Sequence, residues 1–185
     1  MISVRKYEPK DYENVQFACL NSEGPTTDSP ETQQFILYTF CNYYIEKEPE
    51  NCFVLDDDGK AVGYVICAEN YDRYKPVFDK EYLPLTEQYG PDRYEWARTS
   101  TVLQEKYKEQ YPAHLHIDIL PEYQRKGCGG KLINALFEHL RSKGICGVML
   151  TAGANNKVGG AFYKKYGFEL IEQWQDDVAF GMKLI

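Results

Sequence analysis

Long apolar runs are missing from this 185-residue chain. No stretch approaches the roughly 20 residues that cross a bilayer, which excludes a helical membrane protein. The opening residues, Met1-Ile2-Ser3-Val4-Arg5-Lys6, pass straight into charge, so no apolar leader is expected. Basic charge is scarce: 21 Lys and Arg stand against 28 Asp and Glu, a formal net charge of −7. With a pI near 5.1, that argues against nonspecific nucleic-acid or membrane binding, which wants a basic surface. A cationic amine suits such a field better than an acidic partner. The six cysteines are scattered with no Cys-x-x-Cys pair, and the three histidines have no zinc-site spacing, so no metal is expected. Several cysteines lie in apolar runs, as reduced core thiols do. Repeats, low-complexity tracts and linkers are absent too. The expectation is one soluble, cytoplasmic domain over residues 1–185, large enough for a continuous core.

What is present falls into recognisable elements. Ile2 to Tyr7 reads as a strand, and a helix starting at Pro9–Tyr12 carries Val15, Phe17, Ala18 and Leu20. After a Gly/Pro loop, Glu31 begins a second helix, apolar through Phe35, Ile36, Phe40, Tyr43 and Tyr44, ending near Pro49. Cys52–Leu55, the turn Asp56-Asp57-Asp58-Gly59 and Ala61–Ala68 predict a hairpin. A long polar insertion with seven tyrosines spans about 71–111. A connection of that length is usually a functional segment or lid. Within it, residues 92–111 read as helical, with Trp96, Val102, Leu103 and Tyr107 as anchors. Gly147–Thr151 reads as a strand, 155–166 as a helix, and Phe168–Trp174 with Val178–Leu184 as a closing hairpin.

The stretch from His114 to Lys143 organises the rest. His114-Leu115-His116-Ile117-Asp118-Ile119-Leu120 alternates like a strand, and Pro121, with no N–H for a ladder, ends it. Gln124-Arg125-Lys126-Gly127-Cys128-Gly129-Gly130-Lys131 then leads into a helix with Leu132, Ile133, Leu136 and Leu140 on one face, stopped by Gly144. The first turn of a helix has unpaired N–H groups and partial positive charge. Glycines let those groups converge on an anion, and Arg125, Lys126 and Lys131 add charge around it. The turn suits a diphosphate. It is not a Walker loop, because Arg125 stands where the first glycine belongs and Leu132 where Ser or Thr belongs. It is not a dinucleotide fingerprint either, because Leu132 replaces the third glycine and no acidic residue follows at the required distance. The pattern Gln/Arg-x-x-Gly-x-Gly/Ala fits, through Gln124, Gly127 and Gly129.

That motif between a strand and a helix resembles the GCN5-related N-acetyltransferases (GNAT). The second family element follows in Asn156, Gly159, Phe162, Tyr163, Gly167 and Phe168, with Gly159 in place of the usual alanine. The insertion and the run Tyr111–Asp118 look most like the acetyltransferase-like domain of O-GlcNAcase enzymes. The resemblance implies an α/β fold with a mixed, splayed central sheet flanked by helices. It implies acetyl-coenzyme A (acetyl-CoA) as cofactor, with its pyrophosphate on the amides of the glycine turn. It also implies backbone near Ile119 and Leu120 on the pantetheine arm, Asn156 on the same arm, and Tyr163 as proton donor to the leaving thiolate.

Acetyl transfer to an amine needs a neutral amine, an aligned thioester, a stabilised oxyanion and a proton for the leaving group. His114, His116 and Asp118 share a face of the cofactor strand. Asp118 ranks first as general base and His116 second, with a packed polar face as the alternative. The Cys128 amide serves the turn and its thiol is expected to be incidental; a thiol pKa lowered by the helix N-terminus would make it alkylation-sensitive. No His–Cys pair supports a covalent route, so direct transfer in a ternary complex is expected, to a small-molecule or peptide amine, by a monomer or homodimer. Two rivals stay open: a noncatalytic acetyl-CoA-binding or protein-interaction module, and a nucleotide phosphotransferase.

Overall fold

The hairpin that the Asp-Gly turn predicts lies near one end of a seven-stranded sheet. A computed structural model describes residues 2–185, apart from the side chains of Lys157 and Val158. Strands β2 (Phe53–Asp57) and β3 (Lys60–Ala68) pair antiparallel across Asp58 and Gly59, both at positive φ (49° and 92°). Two such residues in succession give the turn twist that matches paired strands. β1 (Ser3–Lys6) adds to the outer edge of β2, and β4 (Ala113–Ile119) pairs along β3 from Gly63↔Ile119 to Ala68↔His114. β5 (Gly147–Gly153), β6 (Glu169–Trp174) and β7 (Asp177–Lys183) complete the order β1-β2-β3-β4-β5-β7-β6, in which only β4 and β5 run parallel. This is the expected mixed α/β sheet.

Helices cover both faces. The glycine turn opens α7 (Cys128–Ser142), which buries Leu132, Ile133, Leu136, Phe137 and Leu140. Each such side chain contributes about 1.5–3 kcal/mol by leaving water. Gly144, at φ 72°, ends the helix as expected. α8 (Lys157–Lys165) packs on the same face: a Cβ on Gly129 would sit 2.8 Å from the Phe162 ring, and one on Gly130 would overlap the Tyr166 hydroxyl. Gly129 and Gly130 therefore let two helices touch, a requirement separate from phosphate approach. Gly127, at φ 77° with open space around it, is a glycine for its backbone alone.

The opposite face carries α1 (Tyr12–Asn21), α2 (Pro30–Phe40) and α3 (Asn42–Lys47), then the insertion helices α4 (Tyr71–Glu81), α5 (Pro91–Thr99) and α6 (Val102–Tyr107). Three expectations change here. The second helix breaks at Cys41 (φ −127°, ψ −58°), which lets Phe35 and Tyr44 face the core from different directions. The helix expected over 92–111 splits between α5 and α6, and of its anchors only Leu103 is buried, while Trp96 stays 51% exposed. Phe17 is 51% exposed although Val15 and Ala18 are buried, because α1 offers the sheet a narrow stripe.

All six cysteines are free. Cys128 is 3% exposed, its side chain turned into the core, which fits an incidental thiol and gives no support to alkylation sensitivity.

Burial also decides the fate of His114. Its ring is 1% exposed, lies against Tyr44, Tyr71 and Tyr74, and neither nitrogen has a hydrogen-bond partner. An orphaned buried polar group costs about 1–3 kcal/mol. Burial lowers its pKa to about 3, so the folded state takes up no proton where the unfolded chain does. The associated stability is complete above about pH 6.5 and is lost as pH falls toward 3. His114→Phe is expected to raise stability at pH 7 by about 1 kcal/mol and to lose less of it at pH 5. Urea melts at both pH values check this; a destabilised variant with unchanged acid sensitivity contradicts it.

Candidate active site

The site begins where the sheet opens. β4 and β5 pair only at Ala113↔Val148 and His114↔Met149 and then part. This is the expected splay. Along β4 the backbone groups of successive residues point to opposite edges. Leu120 N–H donates to Val62 on the β3 side, so Ile117 and Ile119 present theirs to the gap. The expectation for Leu120 is corrected: its N–H goes to Val62 and its C=O accepts from Tyr123 N–H. Ile117, not singled out in the sequence as a site residue, joins Ile119 in facing the gap.

A cleft of ≈400 Å³ runs from this gap to the glycine turn, with Ile117, Asp118, Ile119, Gln124, Arg125, Gly129, Asn156 and Tyr163 among its walls. Arg125 at φ 58° and Gly127 at φ 77° curl the turn. The intrahelical bond from Lys131 N–H reaches Gly127 C=O, so the N–H groups of Cys128, Gly129 and Gly130 precede it. Arg125, Lys126 and Lys131 stand exposed around that end, Lys126 with its ammonium 5.9 Å above the Tyr123 ring. Gln124 acts differently from expectation. Its amide donates to Ile119 C=O (2.7 Å) and Ser22 C=O (2.6 Å), bracing the turn against β4 and the end of α1 instead of reaching toward a ligand.

Asn156 caps α8, its Oδ1 accepting from Gly159 N–H at 2.8 Å. Its Nδ2 group is the end left for a ligand. The cap explains Gly159: a Cβ there would approach the Asn156 amide to 2.9 Å. One turn on, Tyr163 packs against Phe162, Phe168 and Phe180 and lines the gap. Burial, with the Asp118 charge adding to it, raises its pKa well above the ordinary phenol value, so it keeps its proton throughout the neutral range.

Asp118 is the titratable group the site tunes toward neutrality. Burial raises its pKa to about 6, while hydrogen bonds from the Tyr64 and Ser22 hydroxyls favour the carboxylate. Tyr64 lies directly opposite on β3, so register alone aims its hydroxyl. His116 lacks that tuning. Its Nε2 lies 3.1 Å from the Tyr44 hydroxyl, and burial lowers its pKa to about 4, leaving it neutral but weakly basic at pH 7. The three residues share the predicted face, and for the two histidines the packed alternative holds. Phe40, Tyr44 and Tyr74 roof the two histidines, and Asp118 alone reaches the large cleft.

A smaller polar pocket of ≈170 Å³ opens on the other side of the same gap, lined by His116, Asp118, Thr151, Asn156 and Tyr163 among others. Asp118, Asn156 and Tyr163 thus border both spaces. Gln104 of α6 reaches Thr151 at 3.4 Å, which brings the insertion to this pocket as its position predicted. The insertion's tyrosines do not wall it: Tyr71, Tyr74, Tyr82 and Tyr111 are core residues. Sequence reasoning missed Ser22, Tyr64, Thr151 and Gln104. Only tertiary contact identifies them, since none belongs to a motif.

A large cleft ending at helix amides and a small polar one meet across the Asp118 carboxyl and the Tyr163 phenol, an arrangement that suits group transfer between two bound molecules. Comparison with known proteins agrees. A mycothiol acetyltransferase from Kocuria rhizophila is 38% identical over 64 residues, 35% of this chain and 20% of that protein, so this chain matches about a fifth of its length. The crystal structure of SsHAT aligns with a TM-score of 0.88 and 28% identity, over 100% of this chain and 98% of that one. A PaiA N-acetyltransferase from Thermoplasma acidophilum, solved in complex with coenzyme A, aligns at 0.63 and 19% identity over 99% of both chains, a likeness of fold. The model of the acetyltransferase (GNAT) family matches residues 13–168, from α1 through the glycine turn to the end of the Tyr163 helix, and on that span the chain belongs to the GNAT acetyltransferase family.

Proposed function

We propose that this chain transfers an acetyl group from acetyl-CoA to an amine by direct attack in a ternary complex. The observation that carries this reading is the shared border. Asp118, tuned to about pH 6, and Tyr163, held protonated, line both the large cleft and the small pocket. The chain's residues fit the cofactor: unpaired helix amides and exposed cations suit its phosphates, and the gap in the sheet suits an extended arm. When bound there, acetyl-CoA supplies the acetyl group as a thioester.

The chain's own groups then have separable tasks. Asp118, oriented by Tyr64, accepts the proton the amine must lose. Backbone N–H groups of Ile117 and Ile119 face the gap as fixed donors, which need no reorganisation when charge develops beside them. Tyr163 gives its proton to the departing sulfur. The aromatic contacts around Tyr163 hold it still and exclude water. His116 buttresses this wall and leaves base catalysis to Asp118.

Gly127→Glu tests the location of the cofactor. A carboxylate at the anion site opposes phosphate charge, and a side chain at φ 77° is strained in its own right. Affinity for coenzyme A is expected to fall about 100-fold, the equivalent of two 1.4 kcal/mol steps. Undiminished affinity in a variant with native circular dichroism puts the diphosphate elsewhere.

The rival reading is a noncatalytic acetyl-CoA module, which the sequence resemblance of Tyr111–Asp118 to the O-GlcNAcase-associated domain would imply. Thiol release measured across an amine panel separates the two. Tight coenzyme A binding without acceptor-dependent release supports the rival.

A further inference from the structure

The last residue of α1 meets the base with one group and the glycine turn with another. Ser22 closes that helix with helical angles (φ −67°, ψ −22°), so its carbonyl is one of those a helix leaves without an internal partner. Gln124, 102 residues away in the chain, fills it: Nε2 donates to Ser22 C=O at 2.6 Å and to Ile119 C=O at 2.7 Å. A side-chain amide has two N–H groups, and both are used here. Only Oε1 is left, an acceptor, which suits no phosphate. The side chain of this motif glutamine therefore has its partners inside the protein.

Both carbonyls it holds border Asp118. Ile119 is the next residue on β4. Ser22 turns its hydroxyl to the Asp118 carboxylate, which takes its other hydrogen bond from Tyr64. Ser22, Asp118, Ile119 and Gln124 all line the large cleft. The two hydroxyls differ in how firmly they are held. Tyr64 is fully buried on β3, where register aims it. Ser22 is half-buried at a helix end, two residues before Gly24 at φ 122°. Gln124 ties that end to β4.

Resting on the acetyltransferase reading above, we infer that Ser22 is a positioning residue for the general base, and that Gln124 acts on catalysis through Ser22 by clamping the helix end. Asp118 takes the amine's proton, Ser22 fixes the direction in which the carboxylate offers its free lone pairs, and Gln124 fixes Ser22. A donor to the carboxylate favours its charged form, so losing the Ser22 hydroxyl should push the Asp118 pKa further above about 6. The other groups around Asp118 stay as they are. Glu23 adds a like charge from beside Ser22, Tyr163 faces it from α8, and the Cys19 and Cys41 thiols lie near from α1 and the α2–α3 junction. Arg125 shares the cleft, and His116 on the same strand turns to Tyr44 instead.

The test is a titration that needs no acceptor. The Asp118 carboxyl is followed by carbon-13 NMR, its signal identified by its loss in Asp118→Asn. Ser22→Ala is expected to move the midpoint up by about 0.5–1 pH unit, a three- to tenfold change in proton affinity. Gln124→Met keeps the length of the side chain and removes its donors. It should move the midpoint the same way by less, since its bonds are open to water. The double variant should match Ser22→Ala, because Gln124 acts through that residue. Ser22→Thr, which keeps the hydroxyl, should titrate near wild type. Calorimetry with coenzyme A should show Gln124→Met within about threefold of wild type. Where an amine of the panel turns over, the acid limb of kcat/KM moves with the NMR midpoint. An unmoved midpoint in either single variant overturns the clamp, as does a double variant that shifts by the sum of the two. A tenfold weaker hold on coenzyme A in Gln124→Met overturns it too, by returning Gln124 to the cofactor. If no amine turns over, the acetyltransferase reading fails by itself, while the titration still decides the clamp.

Discussion

Tyr163→Phe is expected to lower kcat about 10²- to 10⁴-fold, the usual worth of a positioned general acid, with coenzyme A affinity changed less than about threefold. The argument is one of geometry and proton inventory. Removing a single hydroxyl leaves the ring contacts to Phe162, Phe168 and Phe180 in place, so the helix and the cleft keep their shape. What disappears is the proton that the leaving thiolate must receive. Burial and the neighbouring Asp118 keep that proton on Tyr163 well past its ordinary titration range, so no alkaline loss of rate is expected from this group below about pH 10. Single-turnover kinetics with an isothermal binding measurement separate the two quantities. Equal turnover in the variant removes Tyr163 from its role, and equal loss of rate and affinity makes it a packing residue.

Asp118→Asn carries the second large effect, together with a change in pH profile. A base with a pKa of about 6 is active above that value, so wild-type kcat/KM should fall tenfold per pH unit below about 6. The acceptor amine adds its own titration, but the wild-type-to-variant ratio cancels it. That ratio should exceed about 100 at pH 7.5 and shrink as pH drops through 6. Stability moves the other way. The folded pKa lies above the unfolded value of 3.8, so Asp118 favours folding at low pH, and that contribution is lost as pH rises through about 6. An uncharged Asn avoids the loss, and its melting temperature at pH 7.5 should equal or exceed that of wild type. A variant both inactive and destabilised points to a structural role through Tyr64, and an active one shifts the proton to a water or to His116.

Much of this could be read along the chain, wherever the signal was local. Two positive-φ residues make the hairpin turn, Gly127 starts a helix whose apolar face is written at Leu132, Ile133, Leu136 and Leu140, and Gly144 stops it. Each depends on residues within a few positions of one another, so pattern and turn chemistry suffice. The break at Cys41 and the exposure of Trp96 were not legible, because both depend on which neighbours arrive from other elements.

The candidate site divides along the same line. Its motif residues stood in the sequence, and alternation put His114, His116 and Asp118 on one face. Their chemistry did not, since it comes from the packing over that face. The same strand gives an orphaned core histidine, a weakly basic one held by Tyr44, and a carboxylate raised toward neutrality, according to whether aromatic rings or hydroxyls lie opposite. Gln124 likewise occupies its motif position, but the carbonyls of Ile119 and Ser22 make it a brace. By itself the sequence determined the glycine turn, the strand and helix around it, and the residue types available. Only the tertiary structure decided which of them meet across the opened sheet. Burial and hydrogen-bond partners set a side chain's proton affinity, and both are supplied by residues far away in the chain.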